Sequence, residues 1–573
     1  MASDATDIFA TRPADWWRSA VVYQIYPRSF QDSNSDGIGD IPGITSRLDY
    51  LDRLGVDVIW LSPVYQSPMV DNGYDISDYR DIDPTFGSLA DMDELIAQAH
   101  ARHIKIVMDL VVNHTSDRHP WFRESRDPHS PRRDWYFWRP AKPGTTPGLP
   151  GSEPDDSGAA FENHAWHYDE RSGQYYFAMF SAGQPDLNWE NPDVRAAVHD
   201  IMRFWIDRGV DGFRMDVINL ISKPAGLTRG GPVEPGAGSW RQVANGPRLD
   251  EFLAEMNEAV GLSRLHLLTV GEMPDSTIDV ARNVTDPARH ELNMVFTFEH
   301  MGLDQVGSDK WDLAPLHLPD LKRNLADWQD GLADVGWNSL YFNNHDQPRV
   351  VSRFGDDGEE YRVASAKTLA TVLHLHKGTP YIYQGEELGM TNFPFKEIGD
   401  YVDVESLHEY EYRTAQGVPR EDIMRSLASM GRDNARTPMQ WDGSPHAGFT
   451  THEPWLAVNP NHVEINAAAQ CEDPASVFSH YQALIQLRHT NRTVQLGTFR
   501  LLLAEHPQLW AFTRELDGER ILVIANCSST ALTLPAAELP NLEGSDLLIG
   551  THPNTTSQDL QPWESRVVRL SSQ

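Results

Sequence analysis

Cysteine is nearly absent from this chain. Its 573 residues include two, Cys471 and Cys527, far apart in sequence. That rules out a disulfide framework and offers no zinc-ligand spacing. A chain of this length buries enough apolar surface to fold without such staples. Lysine is scarce as well, with eight of the 48 basic residues, the rest being arginine. Against 83 Asp and Glu, the formal charge is −35. So negative a surface repels nucleic acid and anionic membranes, and both are excluded as partners. No apolar run reaches the roughly 18 residues that would span a bilayer. Residues Met1 to Asp15 lack the apolar stretch of a secretory signal. The expectation is a cytoplasmic protein, monomeric or homodimeric. A hydrophobic content of 40% and an aromatic content of 10% suit a globular fold.

What the chain does have is a recurring pattern. Short β-branched runs end in polar or charged residues at Val21–Phe30, Val56–Ser62, Ile104–Leu110, Gly209–Asp216, Leu265–Glu272, Leu292–Glu299, Ser339–Asp346 and Pro380–Glu386. Continuous apolar runs suit strands buried on both faces of a parallel sheet. Helical patterns lie between them, at Ile44–Leu54, Leu89–Arg102, Val194–Arg208 and Pro247–Val260. Strand and helix alternating through eight units predict an α/β fold of the (β/α)8 TIM-barrel type. Such a barrel takes about 250 residues, so this chain has extra. The barrel is assigned to 1–114 and 185–496, with a long excursion over 389–474 after the eighth strand. Residues 115–184, rich in Pro, Gly, Trp and Tyr, read as an inserted subdomain. Residues 497–573 read as a C-terminal β-sandwich.

Barrel chemistry sits at the C-terminal ends of the strands. Asp216 ends the fourth run, Glu272 the fifth and Asp346 the seventh. Arg214 lies two residues before Asp216 and shares its side of the strand. Converging carboxylates raise one another's pKa, and a cation among them keeps one ionised. His114 and His345 add donors. One ionised nucleophile beside one protonated acid is what glycoside hydrolysis requires.

Five segments carry a family resemblance: Asp109–His114 (DLVVNH), Gly212–Asn219 (GFRMDVIN), Val270–Pro274 (VGEMP), Phe342–Arg349 (FNNHDQPR) and Gln184–Asn188 (QPDLN). The chain resembles the α-amylase family of glycoside hydrolases, family 13, in its oligo-1,6-glucosidase branch, over nearly its whole length. The resemblance implies Asp216 as nucleophile, Glu272 as general acid/base and Asp346 as stabiliser of the transition state. It implies that Arg214, His114 and His345 surround the same glucose of a short oligosaccharide, and that Gln184 and Arg349 also bind substrate. Asp71 and Tyr74 fit the pattern that closes the non-reducing end, with Arg436 paired to Asp71, so the enzyme would be exo-acting. Phe161 and Phe180 would line the pocket from the inserted subdomain.

Val217, directly after the nucleophile, resembles the residue of α-1,6-acting members, where Thr or Ala accompanies α-1,4 links. The following Ile218–Lys223 looks equally like trehalose-6-phosphate hydrolases. Maltose- or sucrose-preferring α-glucosidases are a further alternative, and the covalent intermediate would also permit transglucosylation. An inactive binding subunit of this family would need a membrane anchor and would lack the full carboxylate set. Finally, Asp32-Ser33-Asn34-Ser35-Asp36-Gly37-Ile38-Gly39-Asp40 alternates oxygen-bearing side chains around a glycine turn, which suits Ca2+. Its twelfth position is Gly43, so it is no EF-hand. The resemblance implies a structural Ca2+ or Mg2+ held by Asp32, Asn34, Asp36, the Ile38 carbonyl and Asp40.

Overall fold

The computed structural model describes residues 12–228, 243–307, 309–552 and 558–571. Most of the Met1–Asp15 segment therefore lies outside the described residues. Eight strands form the central sheet: β1 Val22–Ile25, β2 Val58–Leu61, β3 Lys105–Val111, β4 Gly212–Asp216, β5 Leu268–Glu272, β6 Met294–Phe296, β7 Ser339–Leu340 and β8 Thr379–Tyr383. Each falls within, or within one residue of, a run read from the sequence. Their order in the sheet is β6-β5-β4-β3-β2-β1-β8-β7. The pairings β3–β4, β4–β5, β5–β6, β1–β8 and β7–β8 are parallel. This is a (β/α)8 barrel. β1, β2, β4, β5, β6 and β8 are buried at every position, as strands covered on both faces must be. β4 opens on Gly212 because a Cβ there would come 2.1 Å from the Leu268 carbonyl oxygen.

Local chemistry sets the helix ends. Asn191 caps Pro192–Asp207 by accepting from the Asp193 N–H, with Pro192 at the first position. Gly261, at φ 82°, closes Leu249–Val260 in the left-handed conformation. The predicted helix Ile44–Leu54 is instead two short ones, Ile41–Ser46 and Leu48–Leu54, and Leu48, Leu51 and Leu54 are all buried. β7 is far shorter than its run: Tyr341 to Asn344 lie past the strand, and His345 and Asp346 lie in a turn.

By internal packing the chain forms two compact units. One comprises 1–14, 61–96 and 106–298, the other 15–60, 97–105 and 299–573. The first holds a three-stranded antiparallel sheet of Trp138–Arg139, Gln174–Phe177 and Trp166–Asp169, packed with aromatic rings. In the second, helices Val404–Ala415 and Arg420–Met430 follow the barrel's last strand. After them comes a five-stranded antiparallel sheet from Thr498 to Arg569. Among the described residues, the second layer of the expected sandwich is the pair Leu532–Thr533 and Asp559–Leu560, which shares a core with the larger sheet. Lys322, on the helix Leu318–Gly331, donates to the carbonyls of Leu503, His506 and Leu509 and ties this sheet down.

Just beyond β8, Glu386 and Glu387 are buried side by side. Tyr481 donates to Glu386 at 2.7 Å, and Tyr23 and Tyr50 donate to Glu387 at 2.8 and 2.6 Å. Burial pushes the Glu386 carboxyl up to about 8. A folded chain that keeps this proton after the unfolded chain has lost it is destabilised as pH rises. The contribution is therefore fully present below about 4.5 and is lost as pH climbs through about 8. Glu386→Gln keeps the Tyr481 bond and removes the titration. Its melting temperature should fall less between pH 5 and pH 8.5 than the wild type's; parallel curves would refute this.

Candidate active site

β4 presents Arg214 and Asp216 on one side because alternate strand residues share a face. Its register puts Arg214 opposite Asp109 of β3 and Val270 of β5. Glu272 ends β5 two residues later, next to the end of β4. The result is one buried guanidinium amid three carboxylates. Arg214 Nη1 lies 2.7 Å from Asp109 Oδ1 and 2.6 Å from Asp216 Oδ1, and Nη2 lies 2.6 Å from Glu272 Oε1. Arg214 is 1% exposed and Asp216 and Glu272 are 6% each. Burial opposes the Arg214 charge, but the surrounding carboxylates hold it firmly protonated. Burial also pushes Asp216 well above the usual carboxylate range, against the pull of Arg214 and with the push of Glu272. One cation faces three carboxylates, so their mutual repulsion opposes full ionisation of all three. Asp216 and Glu272 thus sit on the two arms of a single guanidinium.

Val217 adds a fourth element. Its backbone is left-handed, at φ 35°, which is costly for a β-branched residue. In this conformation its N–H donates to Glu272 Oε2 at 3.1 Å. The strained peptide thus orients the carboxyl that ends the neighbouring strand.

The same unit supplies a wall. Tyr74 donates to Asp109 Oδ2 at 3.0 Å. His114 Nε2 lies 3.0 Å from the Tyr74 carbonyl, and burial lowers this imidazole to about 4, so it is neutral. Gln184 donates to Asp71 Oδ2 at 3.3 Å. Phe180 packs against His114 with ring centroids 5.0 Å apart, and Phe161 packs on Phe180 at 5.8 Å. Asp71, Tyr74, His114, Phe161, Phe180, Gln184, Arg214 and Val217 are thus all buried in one unit with Asp216 and Glu272.

In the other unit His345 and Asp346 form a second constellation. Gln24 Nε2 meets His345 Nδ1 at 2.8 Å, and His345 is stacked on Tyr26. His345 Nε2 lies 3.2 Å from Asp346 Oδ2. Arg436 donates to Asp346 Oδ1 at 2.8 Å, to Asp403 Oδ1 at 3.1 Å and to the His345 carbonyl at 3.1 Å. Arg349 is engaged with backbone. Its guanidinium is 1% exposed and donates to the carbonyls of Gln384, Asn434 and Ala435. It braces the backbone before Arg436.

Residues 24–497 match the catalytic domain of alpha amylase. An oligo-1,6-glucosidase of Halalkalibacterium halodurans is 53% identical over 560 residues, 96% of this chain and 98% of that protein. The chain belongs to the α-amylase family. A trehalose-6-phosphate hydrolase of Bacillus subtilis is 48% identical over 568 residues, 98% of this chain and 99% of that one. The crystal structure of the Bacillus licheniformis trehalose-6-phosphate hydrolase superposes with a TM-score of 0.89 at 44% identity, covering 97% of this chain and 99% of that one.

In this α-amylase family member several polar residues were not singled out by sequence reading. Asp109 lies within the first quoted motif, but only the strand register reveals it as the third partner of Arg214. Lys223 is buried and donates to Asn113 Oδ1 at 2.7 Å and Asp186 Oδ2 at 2.5 Å. Asp186 in turn accepts from the Met179 N–H at 2.9 Å. This buried knot fixes the segment that carries His114. Asp403 and Arg432 gave no sequence signal.

The oxygen-rich loop is built from side chains accepting from nearby backbone. Asp32 Oδ1 accepts from the N–H of Asn34 and Ser35, and Oδ2 from Gly37 and Thr450. Asn34 accepts from Asp36 N–H, and Asp36 from Ile38 N–H. Asp40 Oδ1 caps the helix Ile41–Ser46 through Gly43 N–H, and Oδ2 accepts from Ser33. No cluster of three or more His, Cys, Asp or Glu able to hold a metal is found among the described residues. The donor set is nonetheless all hard oxygen, and a carboxylate oxygen keeps a second lone pair beyond one such bond, so its chemistry fits Ca2+ or Mg2+. No helix among the described residues is long and apolar enough to cross a membrane.

Proposed function

We propose that this chain is a retaining, exo-acting α-glucosidase that releases terminal α-glucose from short oligosaccharides, α-1,6 links being favoured. The observation that carries this reading is the single guanidinium bonded to both Asp216 and Glu272. A retaining enzyme needs its two carboxylates roughly 5–5.5 Å apart, against roughly 6.5–9.5 Å for inversion. Bridging by the two arms of one arginine favours the closer spacing. Asp216 attacks the anomeric carbon while Glu272 protonates the leaving oxygen. A glucosyl-enzyme forms, and Glu272 then takes a proton from the incoming water. Asp346 is assigned to the hydroxyls of the same glucose and to the positive charge of the transition state. A sugar that arrives before water would give transglucosylation.

The α-1,6 preference is supported by the oligo-1,6-glucosidase likeness and by Val217. A second reading, hydrolysis of trehalose 6-phosphate, is supported by the relatives of that name. Initial rates on isomaltose, maltose, sucrose, trehalose and trehalose 6-phosphate separate them. Isomaltose should be turned over fastest. Turnover of trehalose 6-phosphate alone would establish the second reading, and maltose or sucrose in first place would reject the role given to Val217.

Asp32, Asn34, Asp36, the Ile38 carbonyl and Asp40 are proposed to hold a structural Ca2+, whose chemistry is to neutralise and lock this acidic turn. EDTA should lower the melting temperature and excess Ca2+ restore it. An unchanged melt would remove the ion from the proposal.

A further inference from the structure

Asp346 Oδ1 faces two cations, Arg436 Nη2 at 2.8 Å and Arg432 Nη1 at 3.3 Å. Those same arginines converge on a second carboxylate. Asp403 Oδ1 accepts from Arg432 Nη2 at 2.5 Å and Nε at 2.9 Å, and from Arg436 Nη1 at 3.1 Å. Asp403 is fully buried, whereas the Asp346 side chain is 30% exposed. The other oxygen of Asp403 accepts from the N–H and hydroxyl of Ser406, each at 3.2 Å, as the cap of helix Val404–Ala415. Asp403 is therefore anchored independently of the arginines. Glu405 lies 3.4 Å from Arg432 Nε but is also paired with Lys310 at 2.6 Å. Asp433 Oδ2 accepts from the N–H of Val402 and Asp403.

We propose that Asp403 is a positioning residue for Asp346, acting through Arg432 and Arg436. The inference rests on Asp346 being the carboxylate that meets the transition state. The two arginines fix the Asp346 carboxylate, and losing the Asp403 anion would shift the local charge toward positive where positive charge develops on the sugar. That would oppose an oxocarbenium-like transition state, most strongly in a site shielded from water. Asp403 supplies the balancing anion from behind. Both arginines are thereby shared between two aspartates. Asp346 is then held in place and still offers negative charge to the substrate.

Asp403→Asn removes the charge and keeps the cap, since Asn caps helices as well as Asp does. Asp403→Ser is a second cap-competent neutral variant, and Asp403→Glu retains the charge. In each, kcat and KM on isomaltose are measured, with inhibition constants for 1-deoxynojirimycin, a cationic glucose mimic, and for neutral glucose. The neutral variants should lose about tenfold or more in kcat, with KM within about threefold. Binding of the cationic mimic should weaken about tenfold relative to glucose, and Asp403→Glu should move both readings back toward wild type. Equal weakening of the two inhibitors would mean general damage to the site and would overturn the proposal. So would a neutral variant with wild-type kcat and an unchanged inhibitor ratio. Asp346→Asn is the control. An inactive Asp346→Asn beside a wild-type-like Asp403→Asn sinks only the inference. An active Asp346→Asn sinks the assigned role of Asp346 and the inference with it.

Discussion

Asp216→Asn should lower kcat on isomaltose by about 10^4-fold or more, the scale of losing a covalent catalyst. The amide is isosteric and still accepts from Arg214, so the site keeps its shape, but it cannot form the glucosyl ester. The fold should not suffer. Arg214 serves three buried carboxylates, and removing one anion relieves repulsion that burial intensifies. The variant's melting temperature at neutral pH should equal or exceed the wild type's. Added azide should restore turnover of an activated aryl α-glucoside by attacking from the face Asp216 vacates, giving the β-glucosyl azide. Retention of more than about a tenth of wild-type kcat would exclude Asp216 as the nucleophile.

Arg214→Met should do the opposite to stability and the same to activity. It leaves Asp109, Asp216 and Glu272 buried without their shared cation. Removing one partner of a buried pair costs about 3–5 kcal/mol. The carboxylates can answer only by taking up protons, so their pKa values rise in the folded state. That contribution is present at low pH and is lost as pH rises, so the deficit against wild type should be larger at pH 8 than at pH 5. Denaturant titrations at the two pH values test this. Arg214→Lys keeps the charge but not the two-armed fork, and should recover much of the stability and little of the activity. An Arg214→Met protein as stable at pH 8 as the wild type would show that the three carboxylates do not depend on this guanidinium.

These two residues also mark how much could be read without coordinates. Arg214 and Asp216 are two apart on one strand, so period-two geometry alone puts them on one face. Glu272 ends another apolar run, and barrel logic sends strand ends to one side. The eight strands were legible because a strand buried on both faces must be a continuous apolar run. The end of β7 was not, since Tyr341 to Asp346 look like its continuation and instead leave the strand, with His345 and Asp346 in a turn. The partners of Arg349 were not legible either, because a motif gives a residue's neighbours in sequence and not the direction of its side chain. Three backbone carbonyls claim its guanidinium.

The sequence by itself determined the barrel, the strand-end carboxylates and the arginine beside the nucleophile. Each follows from a local rule: alternation along a strand, apolar runs for buried sheets, and polar residues where strands end. Only the tertiary structure decided which groups share charge. Asp109 joins Arg214 through strand register. Lys223 meets Asp186 and Asn113, and Asp403 meets Arg432 and Arg436, across long stretches of chain. Buried charges must find partners wherever the fold brings them, because desolvation costs more than any local preference can offset. Pairing of that kind is a property of three-dimensional neighbours and leaves no spacing to read in the chain.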